Sequence, residues 1–323
     1  MEHDRQDALD YELCMEYVRA HAVGEVEGLC GPGSVSWKIF REPIALAGGI
    51  AAILLQMAHP AIAAGVTRFS NFRNDVLGRA RRTITSLYEF EFGSFSQAIE
   101  ASRRLHRIHQ RVRGVVEEVG APMAGMPYRA NEQHLLRWVV LTVQIATLQA
   151  FQTFVRPLTR EELRRFQREA ILMRAVVGVL PSSVPEGEGA LEAWYEEALQ
   201  DPTLYVGETA KGIAHALFHS PLSLAPFDAI ITAALLPPRF REAYGLPWGR
   251  KEQLVSAAIV QAARGARALI RPPFRYVVAY HQAQLRLAQS RGERPGLYAA
   301  GLDLLDRYVD LPTSFHPIAP QAR

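Results

Sequence analysis

A chain of 323 residues with 49% hydrophobic and 21% charged residues has the profile of a folded globular protein rather than a disordered one. Its formal charge of 36 − 33 = +3 is too small to imply a nucleic-acid or membrane-surface partner, and the length buries enough core to need no disulfide or metal staple. Cys14 and Cys30 fit neither a zinc site nor a redox pair, and the acidic start MEHDRQDALDYE lacks the order of a signal peptide, so a cytoplasmic protein is expected.

Helical periodicity dominates from the start. Asp4 to His21 places Leu9, Leu13, Tyr17 and Val18 on one stripe. No charge occurs between Glu42 and Arg68, but Gly48, Gly49, Gln56, His59 and Pro60 interrupt the run. Two buried helices, roughly 43–58 and 60–66, are expected there rather than a membrane span. Over 76–92 the buried stripe is Val76, Ala80, Ile84 and Leu87, with Arg79, Arg82, Thr83 and Ser86 together on the adjacent flank. That flank suits the two carboxylates of a haem, or a phosphate; the alternative is a solvated arginine face.

A helix over 95–119 would gather Leu105, Ile108, Val112, Val115, Val116 and Val119 on one side. His109 then lies roughly 70° from the stripe centre and His106 roughly 130° away, pointing outward. A metal ligand emerging from an apolar wall favours His109, although a lone histidine beside a core stripe is commonly structural. The arginines of 103–113 have no interleaved aromatic platform, which argues against nucleic acid.

The second uncharged stretch, Trp138–Val155, carries Thr142, Gln144, Thr147, Gln149, Gln152 and Thr153, and suits a central helix beside a polar ligand. Further helices are expected near 159–179, 188–200, 203–218, 222–235, 250–269 and 275–290, with breaks at 120–127, 181–189 and 236–249. The fold class is all-α: a single large helical domain with globin-like packing around a ligand pocket. An N-terminal helical extension covers 1–34, the main helical domain 35–265, and C-terminal helices 266–323 pack on it.

No histidine has a glutamate three residues before it, which removes the helical di-iron pattern. His215 and His219 have chelating spacing without an acidic partner.

The succession WKIFREP (37–43), GG…LLQMAHPAIAAGV (48–66), F-x-x-D-x-x-G-R-x-R-R-T (72–83), IHQRVRG (108–114), YRANEQHLLRWV (128–139) and LPPRFREAYGLPW (236–248) resembles the latex-clearing protein and MpaB oxygenase family. The resemblance runs over roughly 35–265. It implies a non-covalent b-type haem and oxygen-dependent cleavage or oxidation of apolar substrates; rubber-cleaving members attack polyisoprene and fungal relatives cleave prenyl chains. It makes His109 the proximal iron ligand, and Arg79 with Thr83 the paired Arg and Thr near the haem. In rubber oxygenases a lysine precedes that threonine and can be a sixth iron ligand. Arg82 stands there instead and cannot coordinate iron. Many relatives carry a histidine where this chain has Val140.

The expected site is therefore His109 as metal ligand, Arg79, Arg82, Thr83, His109 and Arg113 around haem b, and His59 and Arg82 as catalytic candidates. His59 either bonds backbone freed by Pro60 or faces bound oxygen. The partners are dioxygen and a small to medium apolar substrate, an alkene or prenyl group, with no nucleic acid and no stable membrane insertion. The competing classes are a non-catalytic haem sensor and a haem-free apolar-ligand scaffold.

Overall fold

The computed structural model describes residues 2–70, 76–183, 185, 187, 189–220, 223–224, 226–272 and 274–293. Helix α1 (Glu2–His21) turns Tyr11, Cys14, Met15 and Val18 inward, a stripe at i, i+3, i+4 and i+7. Leu9 and Leu13, expected on the buried face, are exposed, because Cys14 and Met15 give the stripe a stronger apolar centre one step round the helix. Helix α2 (Val35–Phe40) starts at Ser34, whose Oγ accepts the Trp37 N–H at 3.1 Å.

The uncharged stretch after Glu42 breaks where its prolines and glycines demand. A 3-10 turn (Pro43–Gly48) leads into α3 (Gly49–Met57), and α4 (Pro60–Phe69) leaves at 106° to that pair. Pro60 sits at the first turn of α4, where its missing N–H costs nothing. Helices α5 (Val76–Phe92) and α6 (Phe95–Arg111) form an antiparallel hairpin. Ser94 caps α6 with a reciprocal capping box to Gln97.

The expected helix over 95–119 ends at Arg111. Beyond it, β1 (Arg113–Val115) pairs antiparallel with β2 (Pro127–Arg129), in the register Arg113↔Arg129 and Gly114↔Tyr128. The stripe drawn through Ile108, Val115 and Val119 is therefore not a buried face; these residues are exposed, and α6 buries Ala98, Ile99, Ala101 and Ser102 instead. Gly114 fixes the change of structure, since a Cβ there would sit 2.9 Å from Tyr128 Oη.

Helix α7 (Gln133–Phe154) runs through the centre against α3 and the 3-10 turn. The approach is close: a Cβ on Gly48 would lie 2.3 Å from the Ala146 carbonyl oxygen. By length and composition α7 could cross a membrane, yet 72% of its apolar window is buried inside the fold. Its polar side chains find protein partners. Thr142 bonds its own helix carbonyls and Gln56, and Gln144 accepts from Arg174 Nε at 2.7 Å. They serve helix packing, where the sequence suggested a polar ligand.

Helices α8 (Arg160–Ala175), α9 (Ala190–Leu199), α10 (Glu208–Phe218) and α11 (Phe227–Leu235) follow. Residues 203–207, expected as helix, are extended, because the Tyr205 N–H is taken by the Ala58 carbonyl at 2.6 Å. The expected break at 236–249 holds a short helix, α12 (Pro238–Ala243), started by Pro238. Helix α13 (Arg250–Leu269) is tied to the chain before the 3-10 turn by Arg267, which grips both oxygens of buried Glu42 at 2.7 and 3.0 Å. In α14 (Val278–Ser290), Arg286 donates to the carbonyls of Val26 and Phe92. Among the described residues the architecture is all-α apart from one short hairpin. The part of the C-terminal assignment over 294–323, and Phe72 and Asp75 of the 72–83 motif, lie outside the described residues.

Candidate active site

His109 lies in the last turn of α6, and its carbonyl accepts the Val112 N–H at 3.0 Å as the chain leaves the helix. The β1–β2 hairpin then carries Asn131 back beside it, so both line one cavity of about 150 Å³ with Asp4, Asp7, Gln110, Arg113 and Arg129. His109 Nδ1 and Asn131 Nδ2 are both buried, and the two side chains lie close enough to act on each other. Burial, then neighbouring His106, lowers the His109 pKa to about 4, opposed by side-chain hydrogen bonding to Asn131, so the imidazole is neutral near pH 7.

His106 does not point outward as expected. Its ring stacks on Tyr11 of α1 with centroids 4.0 Å apart, and its Nε2 is 3.1 Å from Gln110 Nε2. An apolar stripe that stops at Arg111 could not have foreseen a helix lying over this side. That helix also borders the His109 cavity: Asp4 pairs with Arg113 at 3.4 Å and Asp7 with Arg129 at 3.3 Å.

Across the α5–α6 hairpin, the Glu89–Arg104 ion pair sets the register. Arg79 is half-buried, and burial followed by the charge of Arg82 lowers its pKa; Arg82 and Thr83 are exposed. Arg113 and His109 share a cavity, whose lining does not include Arg79, Arg82 or Thr83.

His59 belongs to a second cavity. It is the N-cap of α4, 3% exposed, and its carbonyl accepts the Ile62 and Ala63 N–H groups at 3.0 Å each. The side chain makes no capping bond, and Nδ1 is buried without a partner. Burial, then His134, lowers its pKa to about 4. The cavity beside it measures about 360 Å³ and includes His134, Arg137, Trp138, Leu141, Trp194 and Leu204 in its lining. Ala61, Val116, Ala121, Tyr128 and Leu135 form a small separate core cluster, and a Cβ on Gly65 would touch Val112 packed against it at 3.3 Å.

Tested against haem, the donor chemistry fits and the space does not. A neutral imidazole bonded by no backbone or charged group suits iron, and arginines suit propionates. The 150 Å³ beside His109 is bounded by four charged side chains, and is smaller than the roughly 300 Å³ at which pockets for drug-sized ligands begin. Among the described residues no cluster of three or more His, Cys, Asp or Glu could hold a bare metal ion; His215 and His219 stack on each other 4.0 Å apart.

Asn131, Arg129, His134 and Trp194 were not singled out by sequence reasoning. Asn131 and His134 lie within YRANEQHLLRWV, whose switch from strand to helix after Arg129 was the available signal. Residues 37–271 match the family model for ER-bound oxygenase mpaB/B'/Rubber oxygenase, catalytic domain. No curated protein and no solved structure matches the chain. The matched span contains every expected site residue and leaves out α1, with Asp4 and Asp7.

Proposed function

Because the chain belongs to the mpaB/rubber oxygenase catalytic-domain family, we propose that it is a b-type haem-dependent oxygenase acting on a small to medium apolar substrate, with His109 as the iron ligand. The observation that carries this reading is the neutral imidazole of His109, partly buried and bonded by no backbone or charged group, in a cavity that also holds Arg113. Haem bound there would supply the binding and activation of dioxygen.

The protein's own residues then have separable tasks. Arg113 faces the His109 cavity and would take a propionate; Arg79, desolvated on α5, would take the other. Arg82 and Thr83 would border the distal side, and Arg82 cannot close it as a ligand. His59, uncharged above about pH 4, would border a substrate held in the second cavity without adding a charge to it. The substrate, an alkene or prenyl compound, would reach it along α7.

The cavity of about 150 Å³ is too small for haem as it stands, so haem at His109 would need Asp4 and Asp7 to give up Arg113 and Arg129. That same tight fit favours a second reading, a haem-free scaffold that binds apolar ligands. Oxygen consumption by haem-supplemented protein, with a panel of terminal and prenyl alkenes, separates the two. The oxygenase reading expects uptake that depends on both haem and alkene. Colourless protein without uptake would leave the scaffold.

A further inference from the structure

We propose that Arg41 and Arg275 form a binding site for a phosphate dianion, between the end of α2 and the turn that leads into α14. The site shares no lining residue with either cavity and does not depend on the oxygenase reading.

Three segments of the chain meet there. Arg41 follows α2, and its carbonyl accepts the Val277 N–H at 3.0 Å, which pins the start of α14 beside it. Glu42 comes next, and Arg267, from the last turn of α13, donates to both its oxygens at 2.7 and 3.0 Å. Arg275 Nε lies 3.8 Å from the same carboxylate, beyond hydrogen-bond range. Tyr276 gathers the other two guanidiniums: Arg41 Cζ lies over its ring at 4.5 Å from the centroid and Arg275 Cζ at 5.5 Å. Tyr280 offers Arg41 a second ring at 5.7 Å.

The anion follows from charge. Arg267 neutralises Glu42, so Arg41 and Arg275 stand as two positive charges without a carboxylate of their own. Arg156 adds to the imbalance, since its charge acts on Arg267 while its own partner is Glu162 at 2.8 Å. Aromatic faces attract a guanidinium but supply no lone pairs to its N–H groups.

Hydrogen bonding makes the same demand. A guanidinium carries five donors in a planar fork. Among the described residues neither the Arg41 nor the Arg275 side chain donates one to the protein within hydrogen-bond range. Their Nε atoms are buried, so the terminal Nη groups, which reach the surface, are the ones that meet a ligand. One carboxylate would supply a single negative charge. A phosphate dianion matches both charges and has oxygens enough for two forks. The site is recessed, with the Arg275 and Arg267 side chains 19% and 26% exposed, which suits free phosphate or a small phosphate monoester rather than a flat membrane surface.

The test is isothermal titration calorimetry of the full chain with inorganic phosphate and with phenyl phosphate, in chloride at fixed ionic strength and about pH 7.5, where both are mostly dianionic. Wild type should bind both. Tighter binding of phenyl phosphate would identify an ester as the occupant, and equal binding the free ion. Arg41→Gln and Arg275→Gln should each weaken binding about tenfold. Arg103→Gln, which removes an exposed arginine from α6, should leave it unchanged, and circular dichroism checks that each variant is folded. No saturable binding by wild type, unchanged affinity in folded Arg41→Gln, or an equal loss in Arg103→Gln would each overturn the proposal. If the glutamine variants do not fold, Arg41→Lys, which keeps the charge and loses the fork, should bind several-fold more weakly than wild type; equal affinity would overturn it.

Discussion

Glu91 is the side chain least suited to its surroundings. It is fully buried, and no cation or backbone N–H bonds its carboxyl group. Burial, opposed by side-chain hydrogen bonding to Ser36 and helped by Glu169, pushes its pKa from 4.5 up to about 8. The fold therefore holds a proton that the unfolded chain releases near its ordinary pKa. Its contribution to stability is complete below about pH 4.5 and is lost as pH rises through about 8. Urea unfolding at pH 5 and pH 8 should show wild type losing stability over that range, and Glu91→Gln losing clearly less. Parallel losses would mean that Glu91 is not the group concerned. Glu91 was not legible in the sequence, since a glutamate after Phe90 in a helix reads equally well as a surface residue. The ranking of His109 over His106 came from a stripe that does not exist beyond Arg111. What survives is a physical difference between the two rings: His109 is bonded by no backbone or charged group, while His106 is occupied by Tyr11 and Gln110.

At the scale of elements, boundaries were readable where backbone chemistry sets them. Pro60, Ser94 and Thr159 mark helix starts that the structure places as their residue types require. Ser94→Ala removes one half of the α6 capping box and should cost about 1 kcal/mol in denaturant unfolding. Boundaries set by distant partners were not readable. Arg113–Val115 leaves the helix to pair with a strand about a dozen residues on, and Tyr205 is held extended by the end of α3. The border that α1 gives the His109 cavity belongs to this second group, because nothing in residues 2–21 announces Arg113 or Arg129 as partners. Asp4→Asn with Asp7→Asn should loosen that border, while Tyr11, Cys14, Met15 and Val18 keep α1 anchored. Stopped-flow mixing with haem should then show faster uptake than wild type. An unchanged rate would place the haem entrance elsewhere.

The whole molecule is organised around α7, with the 3-10 turn and α3 packed on one side and α13 closing over them. The closure depends on a long-range polar contact: Glu42, 2% exposed, is held by Arg267, with Arg275 at 3.8 Å. Arg267→Ala leaves a buried carboxylate with one distant cation, and should cost about 3 kcal/mol of unfolding free energy. Both positions read as ordinary charges in the sequence, since 225 residues separate them. The all-helical class, by contrast, was readable because almost every segment carries the helical period, and family membership was readable because its motifs occur in order. Of the residues expected at the site, His109 and Arg113 line one cavity and His59 another, a division that depends on tertiary packing and left no trace in the sequence.

The central claim, that His109 carries iron, is tested most directly by the visible spectrum of protein reconstituted with excess haem and desalted. Wild type should retain a Soret band near one haem per chain, His106→Ala should retain it, and His109→Ala should lose it. A wild type that emerges colourless, or a His109→Ala protein that keeps the band unchanged, would contradict the assignment.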